Sequence, residues 1–283
     1  MSVLAPTPLS KNLKQKYRTE LQYNSEKVFR EEYIRTTNLE YQIILKHGYN
    51  GVKMFLQKIH TDDYLREGNG EYFSWGELPA DCPWYQFNDL ELLSFIDRNF
   101  SSIHTRIPDL LAAMKQRCIY IVAEKLRDQW YLHYLFTRQL YDGREYYFIY
   151  TGGPPNPAPT PSQELQKYDW YIPADLRTLY AIHDGFGAVS DRFSILSSNK
   201  LKVLASLMDP ICKDQNDWPE KYSFENLMVF FPYMDGNSRC FYWCDKTVDE
   251  IGTIYWDHET WDITSPIPLF ECMNRELAKM DEE

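Results

Sequence analysis

The chain has 283 residues, of which 44% are hydrophobic and 16% aromatic, and its formal net charge is −11. This length allows one large domain or two of ordinary size, and the hydrophobic content is sufficient for a buried core. The sequence lacks an apolar run of about 18 residues, which a membrane span requires, and its first residues do not form a signal-peptide pattern. Six cysteines in a chain this long do not make a secreted disulfide scaffold. We therefore expect a cytoplasmic protein with reduced thiols and no membrane association.

The negative charge is distributed unevenly along the chain. The charges of residues 1–160 sum to zero, so residues 161–283 carry the whole −11. An acidic surface repels nucleic acid and attracts basic partners. A solvated face that keeps the protein soluble is the alternative interpretation.

The first 150 residues predict a mainly helical domain, which we assign to no family. Apolar residues recur at helical spacing through residues 10–60, and Asn88 is a residue type that caps helices. Pro108 favours the first turn of a further helix, which the pattern extends over residues 108–129. We expect the stretch between these helices, residues 61–87, to be irregular.

A β-hairpin and a proline-rich segment follow the helices. The stretch around Asp142-Gly143 is rich in aromatic and β-branched residues, and this dipeptide is a strong signal for a tight turn between two antiparallel strands. Residues 151–162 contain five prolines and two glycines, which exclude a helix or a central strand. We therefore predict a semi-rigid linker at 151–162 between domains at 1–150 and 163–283.

Residues 163–283 predict an α+β domain. Ser162 is placed to cap a short helix, and Pro173 opens a second one with an apolar stripe at Leu176, Leu179 and Tyr180. We expect His183 in the last turn of that helix, where positive charge suits the helix dipole. The later elements are predicted as a strand at 193–196, a helix at 199–208, three strands within 226–263, and a closing helix after Pro266 and Pro268.

Three stretches of this second half occur together: "IPADLRTLYAIHDGFG" at 172–187, "VFFPYMDGNSRCFYW" at 229–243 and "GTIYWDHETWD" at 252–262. Together they resemble the SUKH superfamily, which includes yeast cell-wall-synthesis regulators and many bacterial immunity proteins. Their order and spacing also match, and the resemblance covers about 120 residues. It implies an antiparallel or mixed sheet flanked by helices.

The resemblance also implies a kind of function. Most bacterial members bind and neutralise a protein toxin, often a nuclease or a nucleic-acid deaminase with a basic cleft, whereas the fungal members are regulatory scaffolds. Neither branch implies catalysis or a cofactor. Residues 1–150 lie outside the resemblance, so their role is left open.

Carboxylates and aromatic residues are interleaved near the end of the chain, and we predict that they form the partner-binding face. Such a composition is typical of a tight binding surface for a basic protein. The alternative is that the aromatic residues are core and the acidic ones merely face water. The predicted face consists of Asp245, Asp249, Glu250, Tyr255, Trp256, Asp257, Glu259, Trp261 and Asp262.

Metal sites are disfavoured by spacing and context. Cys240 and Cys244 lie on one face of a predicted strand, but about 13 Å apart, which is too far for two ligands of one zinc ion. The group around Asp257 and His258 offers oxygen and nitrogen ligands, yet it lies in a predicted turn without a further ligand cluster. We expect an exposed acidic turn there and no bound metal.

Catalytic patterns are equally weak. The sequence contains no P-loop, dinucleotide-binding, zinc-protease or nucleophile-elbow motif. His183 and Asp184 offer a general base and its orienting carboxylate, but a helix-end role explains them as well. The spacing of residues around His104 and His133 does not support an enzyme site there.

The sequence therefore favours an immunity protein that occludes a toxin's basic cleft without turnover and without direct contact to nucleic acid. A regulatory scaffold like the fungal relatives is the alternative. The sequence leaves the toxin and the oligomeric state open.

Overall fold

The computed structural model is an α+β protein with antiparallel sheets and several helices. It describes residues 39–62, 70–139, 143–188, 194–207, 223–233, 237–243, 252–257 and 263–278. The helices in these ranges are α1 (Leu39–Leu45), α2 (Tyr49–Asp62), α3 (Leu92–Asn99), α4 (Pro108–Arg117), α5 (Gln163–Lys167), α6 (Ala174–Tyr180), α7 (Leu204–Leu207) and α8 (Leu269–Leu277). Short 3₁₀ turns lie at Tyr85–Phe87 and Phe224–Asn226. None of these described helices has the length and apolarity to cross a membrane.

Ten strands form two antiparallel sheets. The first sheet has the order β1-β2-β3-β4-β5-β6 and the second has the order β10-β9-β8-β7. The strands are β1 (Glu71–Ser74), β2 (Cys118–Leu126), β3 (Gln129–Gln139), β4 (Glu145–Gly152), β5 (Phe186–Ala188), β6 (Ser194–Ile195), β7 (Lys202–Val203), β8 (Leu227–Pro232), β9 (Ser238–Tyr242) and β10 (Gly252–Trp256).

The predicted hairpin is confirmed as β3 and β4, which pair from Gln139↔Glu145 to Leu132↔Gly152. Gly143 has a φ of +80°, a left-handed conformation that glycine adopts without a steric penalty. The hairpin is part of a larger meander, because β2 pairs with the other edge of β3.

The expected helix at 108–129 is wrong in its second half. It begins at Pro108 as predicted but ends at Arg117, and Cys118–Leu126 is a strand. Ile119, Ile121 and Val122 are β-branched and favour a strand, and the strand is buried on both faces, so it lacks clean polar alternation.

Three local predictions differ from the structure for identifiable reasons. Residues 61–87 contain the edge strand β1, so the stretch is not wholly irregular. Asn88 does not cap a helix: its Oδ1 accepts from the Leu78 amide at 2.9 Å, and its Nδ2 donates to the Gly76 carbonyl at 3.0 Å. The helix expected at 199–208 is divided between β7 and the four-residue α7.

The predicted cap at Ser162 and the closing helix are confirmed. The Ser162 hydroxyl accepts from the Leu165 amide at 3.2 Å, and α8 follows Pro268 directly. The expected helical character of residues 10–60 is confirmed for α1 and α2, and its earlier part lies outside the described residues.

The proline-rich segment connects two strands of the same sheet. β4 ends at Gly152 within the predicted linker, and this residue pairs with Phe186 of β5. Strands from both halves of the chain therefore form the first sheet. The division into separate domains at 151–162 stays a prediction. With such a division, the paired strands β4 and β5 would belong to different domains.

The two sheets meet at a backbone irregularity. The register of β8 against β9 shifts between Val229 and Phe231, which leaves Phe230 without a partner on β9. The Phe230 carbonyl instead accepts a hydrogen bond of 2.8 Å from the Leu196 amide, directly after β6. A β-bulge thus links the second sheet to the edge of the first.

The first sheet is covered on both faces. Helices α1 and α2 pack on one face through residues such as Val52 and Phe55, against Val122, Leu135 and Ile149. The opposite face belongs to the main core, whose members are distributed from Leu78 to Leu277. Both halves of the chain contribute to this core, since it includes α3, α4, α6 and α8 together with one face of the second sheet.

Candidate functional site

Helix α6 and the turn after it hold the first candidate residues. Leu176, Leu179 and Tyr180 are fully buried, so the predicted apolar stripe is confirmed. The Tyr180 hydroxyl donates to the Leu196 carbonyl at 2.7 Å, which connects the helix to the junction of the two sheets. Gly185 lies five residues after the helix and has a φ of +91°, a left-handed conformation that glycine adopts without a steric penalty.

His183 lies at the centre of a buried polar cluster, beyond the end of α6. Its Nδ1 is 3.0 Å from the Gly153 carbonyl oxygen. Because a carbonyl oxygen can only accept, Nδ1 carries the hydrogen and Nε2 is the acceptor. Nε2 then accepts from the Tyr134 hydroxyl at 2.8 Å and from the Asn99 amide at 3.0 Å.

The surroundings of His183 keep its ring neutral. Rings of Trp84, Phe100 and Phe186 lie within 5.5 to 5.7 Å of the imidazole centroid. Burial lowers the pKa of His183 to about 4. The expected interaction of a charged histidine with the helix dipole is therefore wrong, because a fully buried imidazole in an aromatic environment is uncharged at neutral pH.

Asp184 connects the turn to the proline-rich segment and to β6. Its Oδ1 accepts from the Ser198 amide at 2.5 Å, and its Oδ2 accepts from the Ser198 hydroxyl at 2.7 Å and from the Asn156 amide at 2.9 Å. The carboxylate thus stabilises a junction of three segments and does not orient His183. The general-base arrangement considered from the sequence is not what these contacts form.

A second buried polar chain crosses the first sheet on the face below α1 and α2. His133 Nε2 lies 3.0 Å from Glu124 Oε2, and His133 Nδ1 lies 2.9 Å from Thr151 Oγ1. Carboxylate, imidazole and hydroxyl follow one another as in the relay of some hydrolases. The side chains of His133 and Glu124 are each only 1% exposed, so a substrate does not reach the imidazole, and the chain ties β2, β3 and β4 together. His104, the other histidine considered for catalysis, is exposed and lies 2.8 Å from the Ser101 carbonyl.

Strand β10 carries the described part of the predicted binding face. Tyr255 and Trp256 are adjacent, so their side chains lie on opposite faces of the sheet. Trp256 is 5% exposed and packs with Leu227, Val229 and Ile254. It supports the strand from within the core and does not itself present a surface.

Tyr255 is half-buried on the other face of the second sheet, beside the end of α8. Its hydroxyl accepts from the Asn237 amide at 2.6 Å, and the Arg239 guanidinium lies 5.1 Å from its ring centroid. Arg239 also pairs with Glu276 of α8. This part of the predicted face is therefore a mixed aromatic and charged contact between strand and helix.

Along the chain, the carboxylates of the predicted face lie both before and after β10. Asp257 follows the strand directly and is half-buried. The other predicted residues lie outside the described part of the chain, and they are Asp245, Asp249, Glu250, Glu259, Trp261 and Asp262. Three of the carboxylates precede β10 and three follow it, and five strand residues span roughly 17 Å.

The outer edge of β10 is covered by the chain that follows it. Thr253 exchanges two backbone hydrogen bonds with Ile267, at 2.7 and 2.8 Å. The Tyr255 amide donates to the Thr264 hydroxyl at 2.9 Å, and the Tyr255 carbonyl accepts from the Thr264 amide at 3.1 Å. A partner at this edge would therefore meet side chains, since these backbone groups are already bonded.

Potential metal ligands in the described ranges do not cluster. No group of three histidine, cysteine, aspartate or glutamate side chains there could hold an ion. Cys240 is buried, whereas Cys244 and His258 lie outside those ranges. Burial raises the pKa of the Cys82 thiol to about 11 and that of Cys118 to about 12, so these thiols are unreactive near neutral pH.

Sequence reasoning missed the partners of His183. Asn99 and Tyr134 lie 84 and 49 residues away in the chain. Asn99 ends α3, and Tyr134 lies in the middle of a strand with buried residues on both sides, so neither has a local pattern that would distinguish it.

Comparison with known proteins gives no match for this chain, either among protein-family models, among curated proteins or among solved structures.

Proposed function

We propose that the protein is a SUKH-type immunity protein, which binds the basic cleft of a protein toxin and catalyses no reaction. The observation that carries the proposal is the position of Asp257, half-buried and directly after a strand whose edge backbone is already bonded. Carboxylate side chains at that end, and not unpaired backbone groups, are then the means of recognition. They suit a cationic partner.

The concentration of negative charge supports a basic partner. All of the net charge of −11 belongs to residues 161–283, the half that contains β10. Charge of one sign in one region accelerates association with an oppositely charged partner and repels nucleic acid. Such a surface would compete with nucleic acid for the basic cleft of a nuclease or deaminase toxin.

The arrangement of the three SUKH-like stretches is a second source of support. The first forms α6 and its turn, and the other two form the β8–β9 hairpin and β10, which are neighbours in the second sheet. Leu179 of α6 and Phe241 of β9 belong to the same core, together with Phe270 of α8. The resemblance implies an antiparallel or mixed sheet flanked by helices, and the antiparallel second sheet with α6 and α8 in the same core supports the proposal.

The two buried histidine clusters are consistent with a binding role. His183 and His133 already have hydrogen-bond partners on both ring nitrogens. Their contacts account for them as stabilising groups within the core. Binding in this proposal comes from the surface, and the core keeps that surface in place.

The proposal is tested with a basic nuclease or deaminase toxin encoded beside the gene of this protein. The change is Asp257→Asn with Glu259→Gln and Asp262→Asn, and the matched control is Asp89→Asn with Glu91→Gln and Asp128→Asn, three exposed carboxylates outside the predicted face. We expect the first variant to associate about tenfold more slowly, with a weaker salt dependence, because rim charges act mainly on the association rate. Surface plasmon resonance at several salt concentrations measures this.

Equal affinity and salt dependence for wild type and the first variant would refute the proposed face. A growth assay separates the proposed function from the regulatory scaffold. Loss of an immunity protein is lethal in cells that produce the toxin, and wild-type protein restores growth. Survival of the deletion strain in the presence of active toxin would favour the scaffold.

A further inference from the structure

Arg239 of β9 and Tyr255 of β10 lie opposite each other in the second sheet. Side chains at opposite positions of two antiparallel strands point to the same side of the sheet and contact each other. The Arg239 guanidinium carbon is 5.1 Å from the centroid of the half-buried Tyr255 ring, which is within the range of a cation–π contact. The ring of this predicted binding residue therefore contacts a cation of its own chain.

Helix α8 fixes the position of Arg239. The guanidinium pairs with Glu276 of α8, and its Nε donates to the Tyr233 hydroxyl at 3.3 Å. The side chains of Arg239 and Glu276 are only 14% and 18% exposed, so water and salt weaken this ion pair less than one on an open surface. A guanidinium is planar and holds its donors in a rigid fork, so bonds to two partners fix its orientation.

Two further contacts hold the Tyr255 ring. The centroid of the Tyr233 ring lies 5.5 Å from that of Tyr255, at an interplanar angle of 78°. The Asn237 amide donates to the Tyr255 hydroxyl at 2.6 Å, and Asn237 is itself buried. Burial and then the charge of Glu276 raise the pKa of Tyr233, so its hydroxyl stays neutral beside the carboxylate. Together with Arg239, these groups restrict the orientation of Tyr255.

The helix that carries Glu276 is held in place by α4, in the first half of the chain. Asn274, two residues before Glu276, accepts from the Leu110 amide at 3.0 Å and donates to Asp109 Oδ2 at 3.1 Å. Both partners lie in the first turn of α4, which has no side-chain cap from its own preceding residue. Phe270 of α8 is also buried in the main core. The position of Glu276 therefore does not depend on β10 alone.

An ordered Tyr255 ring is suited to hold a bound partner. A side chain that is already ordered loses little conformational entropy on binding, and tyrosines are over-represented among the residues that dominate binding energy. We infer that Glu276, through Arg239, positions Tyr255 as a preformed anchor of the toxin-binding face, a role that rests on the proposed function. Arg239 and Glu276 are positioning residues. The carboxylates of the face then act on association, whereas Tyr255 slows dissociation.

The first test compares Glu276→Gln with Glu271→Gln in the full chain. Glu271 lies on the same helix and pairs with Arg275 on its exposed side, so the two variants change the charge equally. We expect Glu276→Gln to dissociate about fivefold faster from the basic toxin encoded beside the gene, because a mobile anchor mainly affects dissociation. The association rates of the two variants should be equal. Surface plasmon resonance measures both rates, and the dissociation rate does not depend on the folded fraction.

A second variant, Arg239→Lys, keeps the charge but lacks the planar fork that bonds Glu276 and Tyr233 together. It should also dissociate faster, which a loss of charge cannot explain. Equal dissociation rates for Glu276→Gln and Glu271→Gln, with normal binding of the wild type, would overturn the positioning role and leave the proposed function intact. Absence of binding by the wild type would refute the proposed function instead.

A second test needs no toxin. The full chain is labelled with 3-fluorotyrosine, and the ¹⁹F signal of Tyr255 is identified by its loss in Tyr255→Phe. We expect Glu276→Gln to move this signal towards its position in the urea-unfolded chain, because the ring loses its fixed surroundings, whereas Glu271→Gln should leave it in place. An unchanged Tyr255 signal in Glu276→Gln would contradict the positioning role, whatever the toxin measurement gives.

Discussion

The turn at His183 and the strand β10 contain similar residue types, yet the structure uses them differently. In the turn, a histidine and an aspartate are bonded to segments that are distant in sequence, including Gly153, Tyr134 and Ser198. In β10, a tryptophan is buried while the neighbouring tyrosine is half-exposed. Composition alone does not distinguish the two regions. Contacts with residues distant in sequence decide which side chains remain available to a partner.

The largest expected effect distinguishes the two aromatic residues of β10. Trp256→Ala removes a buried indole that packs with Leu227 and Ile254, and we expect a loss of about 4 kcal/mol because large-to-small changes in a core leave a cavity. Tyr255→Phe removes one hydroxyl that accepts from Asn237, and it should cost about 1 kcal/mol. Urea unfolding of both variants measures the contrast. Similar losses in the two would show that Trp256 is not a core residue.

A slightly smaller effect is expected at Gly152, which packs against the His183 ring. A Cβ atom added at Gly152 would lie 2.3 Å from His183 Nδ1, so Gly152→Ala must displace the ring or the strand. We expect a loss of about 3 kcal/mol from this overpacking. At Gly76, where φ is +95° and no atom lies within 4 Å of an added Cβ, alanine adds backbone strain without a clash and should cost about 1 kcal/mol. Thermal unfolding ranks the two, and a Gly152→Ala protein as stable as Gly76→Ala would contradict the tight contact.

The pH dependence of stability tests the neutral state of His183. Its pKa is about 4 in the folded protein against 6.5 for the free side chain, so the unfolded chain binds more protons between these values. The stabilisation is therefore complete above pH 6.5 and is lost as the pH falls towards 4, by ~3 kcal/mol in total. Urea unfolding from pH 7 to pH 4 measures this loss. His183→Gln should flatten the curve in this range, and an unchanged curve in that variant would contradict the neutral buried imidazole.

The smallest expected effect concerns the contacts of Asp184. Ser198→Ala removes the hydroxyl that donates to Asp184 Oδ2 at 2.7 Å, and we expect a loss of about 1 kcal/mol. Ser197→Ala removes an exposed hydroxyl whose acceptor is Asn199, and its effect should be close to zero. Hydrogen exchange of the Ser198 amide, which donates to Asp184, follows the same junction. Equal stability of the two variants would mean that the junction adds little to the turn.

Much of the local structure was predictable because it depends on neighbouring residues. The cap at Ser162, the start of α4 at Pro108 and the turn at Gly143 are backbone effects of single residue types. Cys240 and Tyr242 pack in one core cluster and Phe241 and Trp243 in the other, because strand geometry fixes this alternation.

The rest depends on contacts across the chain that one sequence does not reveal. In the sequence, Cys118–Leu126 looks like the continuation of helix α4. In the structure it is a strand, because β3 and β1 pair with its two edges. The alternation of β10 places Tyr255 and Trp256 on opposite faces, but it does not indicate which face is buried.

The return of residues 263–267 along β10 has a consequence for the protein at high concentration. An exposed outer strand offers a template on which another molecule can add a strand, which is a common route to aggregation. Here Thr253 and Tyr255 already exchange hydrogen bonds with Ile267 and Thr264. The backbone donors and acceptors at this edge of β10 are therefore occupied. A second molecule cannot readily add a strand there, which hinders aggregation through this side of the sheet.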